Sequence, residues 1–282
     1  MAKAYSYCIG DLCHVLGVPR SSYYAWLNRT AGPRQEQNEH LRKTLAELFV
    51  ANRGVYGSPR LTVCLRTKGI ACSRNRVARH MRALQLKARQ KRSFKPKTTD
   101  ANHPHPIARN LLASAPKPKA VNRIWVSDIT YIATAQGWLY LAAVMDLYSR
   151  KIVGWNTSDS LETPLVKEAL QQAWADRRPA AGLLHHSDRG VQYASSAFRA
   201  LLHTCQIRPS MSAAGNCYDN AAMESFWSTL KTEWLHQKNF QTHQEARSAV
   251  FDYIETFYNP KRLHSALGYH SPVDYERINH HE

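Results

Sequence analysis

The stretch RIWVSDITYIATAQGWLYLAAVMDLYSRKIVGWNTSDS, residues 123–160, decides how the chain is read. It is dense in Ile, Val, Trp and Tyr, the residues that suit a pleated, half-buried surface. Gln136-Gly137 and Ser149-Arg150 are the reversals, so the stretch predicts three antiparallel strands in a row. One residue breaks the pattern. Asp128 stands inside the first strand among Trp125, Val126, Ile129 and Tyr131. A carboxylate in such surroundings is costly unless something compensates its charge.

Downstream, helix and strand alternate. TPLVKEALQQAWADRR (163–178) reads as a helix with Val166, Leu170 and Trp174 on one stripe, and GLLHHSD (182–188) as a short strand ending at a second acid, Asp188. Gly190 lets the chain turn away. SSAFRALLHTCQ (195–206) reads as a helix and IRPSMS (207–212) as a strand. A helix over 220–237 follows, started by Asp219 or Asn220, with Glu224 one turn in and Lys231 two turns further on the same face. A last helix spans Gln244–Tyr258. Three antiparallel strands followed by alternating elements describe an α/β fold, a mixed sheet with helices on both faces. Strand ends and a bordering helix are where such sheets carry active sites.

Upstream the character differs. Ile9–Leu16 and Arg20–Leu27, separated by Gly17 and Pro19, have helix-turn-helix spacing, with Arg20 and Ser21 opening the second helix. A helix follows with Leu41, Leu45 and Leu48 on a stripe. A second helix pair starts at Ser58-Pro59, stops at Lys68-Gly69 and resumes behind Ser73; its last helix turns Val77, Met81 and Leu84 inward and Arg74, Arg76, Arg79 and Arg82 outward. Outward arginines suit phosphates and base edges. Residues 88–120, rich in Pro, Lys and Arg, read as an extended linker. The division is therefore 1–30, 31–87, 88–120 and 121–282: two all-α DNA-binding segments, a linker, and a catalytic domain with a basic tail.

Charge supports that division. Of a net +17, residues 1–120 hold 23 Lys and Arg against 5 Asp and Glu, whereas the remainder is close to neutral. A solubilising surface would not be confined to one end, so a polyanion partner of the N-terminal part is the better explanation. No run of apolar residues is long enough to span a membrane and the N-terminus lacks the features of a signal peptide, so a cytoplasmic protein is expected. Six scattered cysteines include no CxxC pair and read as buried or idle thiols.

Three carboxylates, Asp128, Asp188 and Glu224, converging without matching cations would repel. A divalent metal removes the repulsion, and carboxylate oxygens suit Mg²⁺ or Mn²⁺. Among the other candidates, Asp146, set roughly across from Asp128 by reflection about Gln136-Gly137, reads as an anchor of the DLYSRK turn. His186 either shapes the site or simply packs. Neither Ser187 nor Tyr193 has the neighbours of a nucleophile. The block FYNPKRLHSALGYHSP, with Lys261, Arg262, His264 and His270, suits either nucleic acid or packing back onto the catalytic domain.

The spacing then resembles a known pattern: 59 residues separate Asp128 from Asp188 and 35 separate Asp188 from Glu224. This is similar to the D,D-35-E signature of retroviral-integrase-type transposases, and closer still to bacterial insertion-sequence transposases, as the second-reading-frame product. WVSDITYI, HHSDRGVQY, GNCYDNAAMESFWSTLK, FYNPKRLHSALGYHSPVDYE and RGVYGSPRLTVCLRTKGIACSRNRVARHMR resemble that family's blocks over nearly the whole chain. The resemblance implies an RNase H-like catalytic fold, two Mg²⁺ ions held by Asp128, Asp188 and Glu224, and a DNA contact at Lys231. It implies binding to inverted-repeat element ends, strand cleavage by water and joining by the freed 3′-hydroxyl. A homo-oligomer on DNA, and partnership with the first-frame protein or its fusion, are also implied. Two rivals stay open: a catalytically silent DNA-binding regulator, and an RNase H-type nuclease that cuts without joining.

Overall fold

The computed structural model describes residues 7–28, 32–89, 106–212 and 220–279. Asp219, residues 90–105 of the expected linker and Cys217 lie outside them.

Five helices come first: α1 (Ile9–Val15), α2 (Arg20–Leu27), α3 (Pro33–Ala51), α4 (Ser58–Thr67) and α5 (Arg74–Ala83). The pair α1–α2 buries only Cys13 among its own residues and leaves Arg20 and Ser21 exposed. Helix α5 starts where Ser73 accepts the Arg76 N–H, a side-chain cap that satisfies one of the first-turn donors. Leu41, Leu45, Leu61, Leu65, Val77 and Met81 form the interior of α3–α5, with Leu48 and Leu84 packed against it.

Strands β1 (Ile124–Thr134) and β2 (Gly137–Asp146) form a hairpin, and β3 (Ile152–Ser158) pairs with β2, all antiparallel. After α6 (Thr163–Arg177), β4 (Leu184–Ser187) runs parallel to β1. Helices α7 (Val191–Ala194) and α8 (Ser196–Thr204) lead to β5 (Arg208–Met211), parallel to β4. The sheet order is β3-β2-β1-β4-β5. Then come α9 (Ala221–Glu233), α10 (His243–Tyr253) and α11 (Pro272–Asn279). The expected helix over 220–237 is thus α9 followed by a short 3₁₀ turn, Leu235–Gln237, and the expected Gln244–Tyr258 helix loosens into a π turn over Ile254–Tyr258.

Both faces of the mixed sheet are covered, as expected. Trp125, Ala142, Val144 and Val153 meet Leu165, Ala169, Leu170 and Phe198 on one side. Val126, Ala143, Met145 and Ile152 meet Met223, Phe226, Leu230, Val250 and Tyr253 on the other, and the α3–α5 interior is continuous with this second cluster.

Three expectations need correction. The β1–β2 reversal is Ala135–Gln136, with Thr134 opposite Gly137, and Gly137 takes a φ of 110°. Moving the turn centre by one residue moves every partner by two, so Asp128 opposes Ala143 and Asp146 opposes Trp125. Trp174 is exposed, and Ala173 takes the inward place beside Val166 and Leu170. The reason is Gly154 on β3: a Cβ there would lie 2.2 Å from the Ala169 carbonyl oxygen and 2.8 Å from the Ala173 Cβ, so only small residues let α6 approach. Finally, residues 106–120 are not an extended arm. Leu111 and Leu112 pack against the core, and their backbone N–H groups donate to Ser210 Oγ at 2.9 and 3.3 Å.

The C-terminal block packs rather than projecting. Tyr56 donates its hydroxyl to the Lys261 carbonyl and accepts the Leu263 N–H, and Arg60 Nε donates to the Leu263 carbonyl. Arg53 forms a two-pronged pair with Asp252 and lies over the Trp234 and Phe257 rings. Arg262, 5 % exposed, is locked to Glu233, whose carboxylate also accepts the Tyr253 hydroxyl. That takes Arg262 away from any ligand outside the protein.

Candidate active site

The alternation of β1 sends Val126 into one core cluster and Trp125 into the other, and leaves Asp128 half-buried near the α9 side. Its Oδ1 accepts the Ile129 N–H at 2.8 Å, and its Oδ2 accepts the indole N–H of Trp227, on α9, at 2.9 Å. Asp188 follows β4, the parallel neighbour of β1. Its Oδ1 accepts the Gly190 N–H at 2.9 Å, in the sharp bend that the glycine permits. A Cβ on residue 190 would sit 3.0 Å from that same oxygen.

Helix α9 is fastened to β1 twice. Trp227 grips Asp128, and the Asn220 side-chain amide donates to the Ser127 carbonyl at 3.2 Å. Asn220 holds the N-cap position before α9, one of the two residues expected there, but its side chain makes no cap; it reaches to the strand instead. Glu224, exposed, and Lys231, half-buried, are carried on that helix.

Burial and the Asp188 charge push the Asp128 carboxyl up to about 7; Glu224 adds to the rise, while the Ile129 and Trp227 donors oppose it. All three acids therefore share one electrostatic neighbourhood, with Asp188 the stronger influence and Glu224 the weaker. Among the described residues, no three His, Cys, Asp or Glu side chains close on a single metal-holding point. The arrangement is an Asp128–Asp188 pair with Glu224 standing off on the helix. Lys231 belongs to the same neighbourhood: burial lowers its pKa, and Asp128 pulls it back up.

Histidines behind the acids are packed. His185 shares a hydrogen bond with Ser127 at 2.7 Å and is held neutral by burial, its pKa lowered to about 3. His186, fully buried, bridges Ser210 and Ser212 at 2.9 and 3.0 Å. These bonds brace β4 against β5 and the segment after it. Tyr193 is buried, and the charges of Asp128 and Asp188 join burial in raising its pKa. Asp146 anchors its turn: Oδ1 accepts the Tyr148 and Ser149 N–H groups, Oδ2 accepts Asn122 N–H, and Arg177 lies 3.8 Å away.

The hold of Trp227 on Asp128 and the reach of Asn220 to Ser127 escaped the sequence reading. Trp227 had a signal, three residues after Glu224 and so on an adjoining strip of the helix. The expected DNA contacts lie elsewhere: Arg74 and Arg79 are exposed on α5, whereas Arg76 is half-buried and donates to Asn38 at 2.9 Å.

The donor set fits a hard divalent cation. Burial, and after it the Asp188 charge, drives the Asp128 carboxyl toward neutrality. A proton held there near pH 7 is what a Mg²⁺ ion would displace.

Comparison with known proteins gives consistent matches. Residues 118–217 and 205–272 match the integrase core domain, and residues 36–94 an HTH-like domain. The transposase InsF for insertion sequence IS3A of Escherichia coli is 40% identical over 276 residues, 97% of this chain and 95% of the relative. The transposase for insertion sequence element IS904 of Lactococcus lactis is 40% identical over 253 residues, 90% of this chain and all of the relative. An uncharacterized 31 kDa protein of insertion element IS600 from Shigella sonnei is 43% identical over 269 residues, 95% of this chain and 98% of the relative. Among solved structures, an intasome of simian T-cell lymphotropic virus matches with a TM-score of 0.47 and 17% identity, covering 84% of this chain and 74% of that one.

Proposed function

The chain belongs to the insertion-sequence transposases of the IS3 family, with an integrase core and an HTH-like domain, and from that premise we propose that Asp128, Asp188 and Glu224 hold two Mg²⁺ ions for DNA cleavage and strand transfer. The observation that carries this is the bond from Trp227, on the helix bearing Glu224, to Asp128 on β1, whose parallel neighbour β4 leads into Asp188; burial and the Asp188 charge also push the Asp128 carboxyl up to about 7. When bound, such ions stabilise the attacking and leaving oxygens of a phosphodiester; Mn²⁺ would substitute.

The chain's own residues do the positioning. Trp227 fixes the rotamer of Asp128 and, through the same bond, the distance of α9 from β1. The Gly190 N–H aims Asp188. Glu224, on α9, would supply the third ligand. Lys231, beside them, holds a phosphate of the strand being cut. Arg20, Ser21, Arg74, Arg76 and Arg79 bind the inverted-repeat ends, Arg76 after exchanging Asn38 for a phosphate. Joining two ends takes at least two sites or one used in turn; this reading takes the first, a homo-oligomer on DNA, alone or with the first-frame protein, at the nucleoid. No helix among the described residues is long and apolar enough to cross a membrane.

Labelled element-end DNA with Mg²⁺, with and without the first-frame protein, tests this. Joined products that vanish in Asp188→Asn and Glu224→Gln, with DNA binding retained, are expected. Cut products without joined ones would make the protein a nuclease. Activity indifferent to both substitutions would remove the acids from the chemistry.

A further inference from the structure

A second cavity lies on the other flank of α9. It is a cleft of about 490 Å³ between α9, the α3–α5 helices, the β2–β3 turn and the C-terminal block. From α9, Ala222, Ser225 and Thr229 line it, roughly half a turn of helix away from Glu224, Trp227 and Lys231. Arg60, Arg89 and Arg150 line the remaining walls.

Its charge balance is lopsided. The acid among its lining residues is Glu233, already bound through both carboxylate oxygens to Arg262. Three guanidinium groups therefore face the space without a carboxylate of their own there. Burial lowers the Arg60 pKa and the Arg262 charge lowers it further, with Glu233 opposing. His264, also lining the cleft, stays neutral, held down by burial and by the Arg262, Arg60 and Arg150 charges. Arg150 is placed at backbone cost, since its φ of 61° is the left-handed region where glycine would be less strained. Its carbonyl accepts the Tyr258 hydroxyl, which fixes the turn at the mouth of the cleft.

Arginine forks beside hydroxyls spaced along a helix are the donors that phosphodiester oxygens use. The charged walls do not suit an apolar small molecule, whose sites are lined mainly by hydrophobic side chains. We propose that this cleft is a second DNA seat, in which Arg60, Arg89 and Arg150, with Ser225 and Thr229, grip a sugar-phosphate backbone on the side of α9 turned away from the acids. The choice of DNA rests on the chain being a transposase; it does not depend on the three acids or on a metal. Helix α9 then stands between two nucleic-acid segments, one at each flank.

The test is equilibrium binding of a labelled random-sequence duplex, followed by fluorescence anisotropy across a salt series in chelator, so that loss of cleavage chemistry cannot affect the readout. Arg89→Gln with Arg150→Gln is expected to weaken low-salt binding by about tenfold or more and to reduce the log–log salt slope by about 2, as two phosphate contacts are lost. Arg89 also donates to the Glu233 carbonyl. Ser225→Glu with Thr229→Glu, which places repelling charge in the cleft from helix positions that tolerate glutamate, should therefore give the same loss with an unchanged melting temperature. Titration with tripolyphosphate distinguishes a simple anion site. If both pairs abolish tripolyphosphate binding and leave duplex affinity and slope intact, the DNA assignment is overturned. An unchanged slope with no tripolyphosphate binding overturns it equally.

Discussion

Trp227 donates its indole N–H to Asp128 Oδ2 at 2.9 Å, so the helix that carries Glu224 is pinned to the strand that carries the first acid. Because Trp227 and Glu224 ride on the same helix, a shift of α9 that moves Glu224 also strains that bond. Replacing Trp227 with Phe keeps the ring and deletes the donor. A hydrogen bond to a charged group contributes about 1.5–3 kcal/mol, so single-turnover cleavage is expected to fall by roughly ten- to a hundredfold. DNA affinity in chelator should stay within error; a variant that cleaves at the parental rate would remove Trp227 from the positioning role.

Asp128 ties stability to pH. Its folded pKa, about 7, lies above the ordinary value of 3.8, so the folded protein holds a proton that the unfolded chain releases. Metal-free protein should therefore lose stability as pH rises from about 4 through 7, and Asp128→Asn, which needs no proton, should not show that component. Melting curves in chelator are expected to coincide near pH 4 and to separate by pH 8, the variant being the more stable. Adding Mg²⁺ at pH 8 should stabilise the parent and leave the variant behind.

The Glu233–Arg262 pair is buried on both sides and reinforced by Tyr253. Removing one partner of such a pair strands the other charge, at a cost of about 3–5 kcal/mol. Glu233→Ala is expected to lower urea stability by that amount. Combining it with Arg262→Met should recover much of the loss, because the stranded charge is gone; equal penalties for single and double variants would contradict this.

Gly154 gives a packing test far from the chemistry. A methyl group there meets the Ala169 carbonyl at 2.2 Å, and backbone cannot move aside as a side-chain tip can. Gly154→Ala should cost about 1–3 kcal/mol or more by denaturant titration.

Salt tests the electrostatic asymmetry. With six or more phosphates neutralised, DNA affinity should fall by about 10³-fold or more between about 50 and 200 mM salt. A flat response would leave the basic N-terminal part without its proposed partner.

Much of this was legible in the sequence because period and punctuation agreed. Ile124–Thr134 and Gly137–Asp146 are dense in strand-favouring residues, and Ser73 marks the start of α5. What was lost depended on counting or on distance. One residue of error in the hairpin centre misplaced Asp146 by two partners, and with it the idea that it faces Asp128. Leu111 and Leu112 were hidden because two apolar residues among prolines and lysines make no period. The hold of Trp227 on Asp128 spans 99 positions, and no local pattern encodes it. Arg262 was open to either reading because its carboxylate partner comes from α9, 29 residues earlier.

Tyr56 meets its hydrogen-bonding partners at Lys261 and Leu263, more than 200 residues later. During synthesis that hydroxyl has neither of these partners until residues 261–263 have left the ribosome. The early helices can pack on one another beforehand, but this anchor to the rest of the fold is the last to close.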